Sequence, residues 1–142
     1  MKAKLLILNI ILLNGAFALS LGDVVSNQTL KSETNTTKVM KLSMKDATHS
    51  EYTIKSLNGS KNVLVNNNNR VYGFNWSEQN PNLQEMLGNK YLGEFNSAFK
   101  ARPNAMNHRM LSIETTNLSI HQFGLPGGMK EGEMLDKNLA PK

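Results

Sequence analysis

The chain has 142 residues, no cysteine, and 16 basic against 11 acidic residues, for a formal charge of +5. That length suits one domain. Without cysteine there is no disulfide, no Cys-ligated metal, no thiol nucleophile and no redox motif, so the fold must rest on its core.

Residues 1–18 read as a secretory signal peptide. Lys2 and Lys4 give the positive start, Leu5 to Leu13 is apolar except for Asn9, and Ala16-Phe17-Ala18 is a small-x-small cleavage site. The apolar run is short for a membrane span, so no stable span is expected after cleavage, and retention as an N-terminal anchor is the alternative. Cleavage after Ala18 removes two lysines and leaves a formal charge of +3. That value needs no nucleic-acid partner, and no basic stripe interleaved with aromatics is present. The mature protein is expected to be exported, either periplasmic or extracellular.

Residues 19–48 are rich in Ser, Thr, Asn and Lys. They read as a mostly unstructured segment ahead of a single domain at 49–142. Glu51 to Leu57 then alternates as a strand. Asn58-Gly59-Ser60 is the strongest hairpin turn, because Asn-Gly tolerates the positive φ of a type I′ turn. Asn62 to Val65 returns, Asn66 to Asn69 turns again, and Arg70 to Trp76 forms a third strand. Tyr72, Phe74 and Trp76 alternate with Val71, Gly73, Asn75 and Ser77, which places the three aromatics on one face.

A helix start follows. Asn80 can cap, and Pro81 suits a first helical position. Leu83, Met86 and Leu87 keep helical spacing, and Gly88 marks a stop. Leu92, Phe95 and Phe99 predict a second helical segment ending at Arg102-Pro103. Met110 to Thr115 and Leu118 to Phe123 read as two more strands, and Gly124 to Gly128 as a loop. The last residues, from Met129, are weakly patterned, with Met134, Leu135 and Leu139 covering an edge of the core. The whole predicts an α+β fold: an antiparallel sheet of about five strands, β-β-β-α-β-β, with one or two short helices packed on one face.

Val71-Tyr72-Gly73-Phe74-Asn75-Trp76 is similar to the Val-Phe-x-Val-x-Trp strand of a family of small exported bacterial proteins known as a domain of unknown function. Pro81-Asn82-Leu83-Gln84-Glu85-Met86-Leu87-Gly88, with Tyr91-Leu92, resembles that family's Pro-Asp-Leu-x-x-Leu-Leu-Gly-x-Tyr-Phe. Leu21-Gly22 and Tyr52-Thr53-Ile54 fit it as well. Where the family carries Arg-Glu-Tyr on the second strand, this chain has Asn62-Val63-Leu64. Where the family carries Gly-His-Met-Arg, this chain has Gly124-Leu125-Pro126-Gly127. The resemblance implies an exported protein of the bacterial envelope and transfers no catalytic residue. In that setting the Asn-x-Ser/Thr triplets at Asn27, Asn35, Asn58, Asn75 and Asn117 follow from composition rather than glycosylation.

Candidate chemistry is sparse. His49, His108 and His121 show no metal-ligand spacing, so no metal and no cofactor are expected. Glu85 and Glu94 could form a carboxylate pair, but exposed Glu on a surface helix is the usual case. No Gly-x-Ser-x-Gly motif occurs, and Gly124 to Gly128 lacks the Lys-Ser/Thr end of a phosphate loop. The leading expectation is a non-enzymatic binding or accessory module with an envelope or extracellular protein partner. One alternative is a small-ligand or lipid carrier using Tyr72, Phe74 and Trp76. Another is a hydrolase built from Glu85, Glu94, His108 and His121.

Overall fold

A computed structural model describes residues 19–26, 38–43, 49–102 and 109–142. Seven strands run β1 (Lys38–Ser43), β2 (His49–Ser56), β3 (Gly59–Asn66), β4 (Val71–Glu78), β5 (Met110–Glu114), β6 (Leu118–Gly124) and β7 (Lys130–Asp136). One helix, α1 (Leu83–Lys100), lies between β4 and β5. The strands form one sheet in the order β1-β2-β3-β4-β7-β6-β5, and every pairing is antiparallel. Two meanders, β1 to β4 and β5 to β7, therefore join along the β4–β7 seam.

The arrangement is α+β, with more strands than the sequence pattern implies. The two additions are β1, inside the segment expected to be unstructured, and β7, at the weakly patterned end. β7 is not an edge cover but a central strand. Its sequence, Lys-Glu-Gly-Glu-Met-Leu-Asp, hides this, because only Met134 and Asp136 are buried.

Register sets the core. Tyr52, Val63, Phe74, Met134, Ile120 and Ile113 stand opposite one another across six strands. On this face α1 contributes Met86, Leu87, Tyr91 and Phe95 to the same apolar cluster. Each such side chain, once buried, is worth about 1.5–3 kcal/mol. Asp136 is fully buried among them, accepting a hydrogen bond from the Tyr91 hydroxyl and another from the Asn138 N–H at 2.9 Å. Those two donors keep the interior carboxylate from being an unsatisfied polar group. Burial, and then the bond to Asp136, pushes the Tyr91 phenol above its ordinary pKa.

The three aromatics of β4 do not share a face. A β-bulge interrupts the β3–β4 ladder: Leu64 pairs with Gly73, Val65 pairs with Val71, and Tyr72 is left without an opposite residue. A bulge of this kind upsets strict alternation. Phe74 and Trp76 join the core cluster, and Tyr72 does not. Tyr72 instead meets the His49 ring edge-on at 6.4 Å and feels the Glu51 carboxylate. Burial first, and Glu51 second, raise its pKa.

Local turn chemistry also departs from the simplest pattern. The β2–β3 turn is Leu57-Asn58, one residue earlier than Asn-Gly would set it, because Ser56 pairs with Gly59. At the next turn Asn66 does the organising: its Oδ1 accepts from the N–H groups of Asn68 (3.0 Å) and Arg70 (3.1 Å). The helix cap is Asn82 rather than Asn80. Asn82 Oδ1 accepts from Glu85 N–H at 3.1 Å, and Asn82 Nδ2 donates to Glu85 Oε2 at 3.0 Å. That clasp needs the three-residue spacing of a capping pair, which Asn80 lacks.

Gly88 breaks α1 without ending it. Its φ of 68° and ψ of 174° interrupt the helix, which resumes and runs to Lys100. The break frees carbonyls that the next turn would otherwise engage, and residues 19–26 take them up. Ser20 Oγ donates to Glu85 O at 2.6 Å, and Leu21 N–H donates to Met86 O at 2.8 Å. The same strap lies along the start of β4: Gly22 N–H bonds Val71 O, Val71 N–H bonds Asp23 O, and Val25 N–H bonds Asn69 O. Leu19 and Leu21 enter the core at 2 % and 4 % exposure. The folded unit therefore takes in residues 19–26 as well as those from 49 onward.

Candidate functional site

The face of the sheet turned away from α1 carries a groove of about 520 Å3, within the usual range for small-molecule sites. Strand alternation builds it. Asn62, Asn75, Glu133 and His121 form one row across β3, β4, β7 and β6, and Ser60, Ser77, Glu131 and Phe123 form the next. Rows lie about 7 Å apart and neighbouring strands about 4.8 Å apart, from ordinary sheet geometry. Trp76 and Gly132 complete the floor.

Trp76 lies across β7 on the core side, over that strand's one glycine. A Cβ on Gly132 would overlap the Trp76 ring, so the indole lies against bare backbone there. This is the aromatic-over-glycine pairing that pins register in sheets. The indole is 4 % exposed, and its Nε1 has no hydrogen-bond partner among the described residues.

The groove side chains are uncommitted. Ser60, Asn62, Asn75, Ser77, Glu131 and Glu133 make no side-chain hydrogen bond or ion pair to a described residue. No Lys or Arg lines the groove. Phe123 is 57 % exposed at its β6 end, and Met110, Leu125 and Met129 stand exposed on the same edge or its loop.

One wall is fixed by a polar network. His121 Nε2 lies 2.7 Å from Glu114 Oε1, and His121 Nδ1 lies 3.0 Å from Ser112 Oγ. Ser119 Oγ and the Lys137 ammonium, at 2.6 Å, also hold Glu114. Together they draw the Glu114 carboxyl down to about 2, with the Lys137 hydrogen bond the largest cause. Serine, histidine and glutamate in this chain resemble a nucleophile–base–orienter set. Acyl transfer also needs converging N–H donors at the reacting carbonyl. Ser112 sits mid-strand in β5, with no helix N-terminus or glycine-rich turn beside it.

The other sequence candidates scatter. Glu85 belongs to the Asn82 cap and lines a smaller concavity of about 320 Å3 with Glu78, Lys61 and Asn58. There burial raises the Glu78 pKa, partly opposed by Lys61 and reinforced by Glu85. Glu94 accepts from Thr115 Oγ1 and from Asn117 Nδ2, tying α1 to the β5–β6 turn. The Thr115 bond is the main reason that its pKa is lowered. His121 is in the groove wall, and His108 lies outside the described residues. Glu85, Glu94 and His121 thus occupy three separate places. Among the described residues no group of three or more His, Asp or Glu is placed to hold a metal ion.

The aromatic binding face changes in the same way. Phe74 and Trp76 belong to the core cluster on the helix side, with Trp76 also bordering the groove floor, and Tyr72 is set apart from them by the bulge. The space between helix and sheet, where a carrier cavity would lie, holds Phe74, Met86, Leu87, Tyr91 and Met134, all buried. Sequence reasoning missed Asn62, Asn75, Glu131, Glu133 and Phe123. The signal was present for β4, where Asn75 and Ser77 alternate with Phe74 and Trp76, and weaker for β3, where Ser60, Lys61 and Asn62 run together. It was hidden for Glu131 and Glu133, because β7 does not read as a strand.

No protein-family model, curated protein or solved structure matches this chain. No helix among the described residues is long and apolar enough to cross a membrane.

Proposed function

We propose that the chain is an exported, non-catalytic binding module whose ligand sits in the β3-β4-β7-β6 groove. The observation that carries this reading is the groove itself: six polar side chains in two ordered rows with no partner among the described residues. Polar groups held on rigid strands and left uncommitted are what a binding site needs. The export part rests on the leader pattern of residues 1–18 and on the resemblance to small envelope proteins.

The test is a two-dimensional NMR titration of the mature chain with a panel spanning saccharides, amines, carboxylates, phosphates and short peptides. At least one class is expected to shift the β4, β6 and β7 amides and to lose that effect in Asn75→Ala. Shifts confined to the helix–sheet junction or to the strap would move the site elsewhere. A hydrolysis product that disappears with His121→Ala would make the chain an enzyme and end the proposal.

A further inference from the structure

Resting on that groove as the site, we infer that its ligand is a neutral, polyhydroxylated molecule, a glycan, with one sugar ring stacked on Phe123. The argument is one of matched chemistry. An alcohol both donates and accepts hydrogen bonds. Asn62 and Asn75 each offer donors and an acceptor, Ser60 and Ser77 offer both on one oxygen, and Glu131 and Glu133 offer acceptors only. Vicinal hydroxyls satisfy all three types at once, at the spacing that adjacent strands impose.

The other ligand classes fit less well. An anion would meet Glu131 and Glu133 with no lysine or arginine in the lining to offset them. An apolar ligand would strip water from six unpartnered polar side chains and return no hydrogen bond. A cation would meet the two carboxylates, the amide oxygens and the Phe123 face, but would leave the amide N–H donors of Asn62 and Asn75 unused.

One further feature points the same way. Phe123 keeps 57 % of its surface exposed at the end of the Ser60-Ser77-Glu131 row, although the core lies on the other side of the sheet. An aromatic face left open beside hydrogen-bonding groups suits the C–H face of a pyranose, which is apolar on one side and hydroxylated at its rim.

The experiment is a printed glycan array probed with the labelled mature chain, followed by NMR titration with the best free oligosaccharide and, separately, with spermidine. The wild-type chain is expected to bind at least one glycan and to shift the groove amides with it. Asn75→Ala and Phe123→Ala, checked by circular dichroism for an unchanged fold, are each expected to weaken binding about tenfold, the loss of one good contact. Loss in Asn75→Ala without loss in Phe123→Ala removes the stacking contact. A groove that responds to spermidine and to no glycan overturns the ligand class while keeping the binding module. A groove that responds to nothing in the wider panel overturns both.

Discussion

Single atoms decide two features of this chain. The missing side chain of Gly132 lets Trp76 lie across β7, so Gly132→Ala is an overpacking change on a surface already in contact. It is expected to cost about 1–3 kcal/mol in urea unfolding and to shift the Trp76 emission to the red. A variant as stable as wild type would mean that the indole has room to move aside. The second feature is Glu114. Its carboxyl is held near 2 by Lys137, Ser119 and His121, below the unfolded value, so its contribution is present above the ordinary carboxylate range. It is lost as pH falls from there toward 2. Glu114 is half exposed, so solvent screening limits the effect to about 1 kcal/mol. Glu114→Gln should therefore flatten the acid limb of a stability–pH curve between about pH 4.5 and 2. An unchanged limb would show that the pairing carries no stability.

At the scale of elements, the break in α1 is the informative case. Helix propensity alone says that Gly88→Ala should gain about 1 kcal/mol. Gly88, however, has φ 68° and ψ 174°, a region reserved in practice for glycine, and an added methyl would come within 2.9 Å of Ser20 Cβ. The expected result in urea unfolding is a loss of about 1–3 kcal/mol, with faster proteolysis of the strap. A gain would mean that the helix runs straight when allowed and that the strap bonds are dispensable. The sequence carried much of this element: the Leu83-Met86-Leu87 stripe, the interruption at Gly88 and the second run through Phe95 all stand where the pattern puts them. What it could not carry was the reason for the interruption. Ser20 and Leu21 meet Glu85 and Met86 from about 65 positions away, and no local window records that. β4 shows the same limit: its alternation is clear, but the bulge that turns Tyr72 aside depends on how β3 pairs with it. β7 was opaque for another reason. Its one glycine and two glutamates weaken the strand signal, and they are there for Trp76 and for the groove.

At the scale of the whole molecule, the sheet has a centre and two margins. Among the described residues β2, β3, β4, β7 and β6 are flanked on both sides, whereas β1 and β5 each have one neighbour. Local opening is easiest where fewest partners hold a strand. Native-state hydrogen exchange should therefore find the slowest amides in β4 and β7 and the fastest strand amides in β1 and β5. Rapid exchange throughout β7 would contradict its central place. The groove spans only the protected strands, so its floor is expected to be among the stiffest parts of the protein. The α+β class of the fold was legible from periodicity. The groove was not, because it exists only once β7 lies between β4 and β6.

That position also fixes when the protein can finish folding. Trp76 waits for Gly132, Phe74 for Met134, and Tyr91 for Asp136. Synthesis runs at about 5–20 residues per second, so a growing chain spends on the order of ten seconds with its first four strands made and its core unclosed. A sheet sealed by its last strand stays open until synthesis is nearly done, the state that the export proposed above would use.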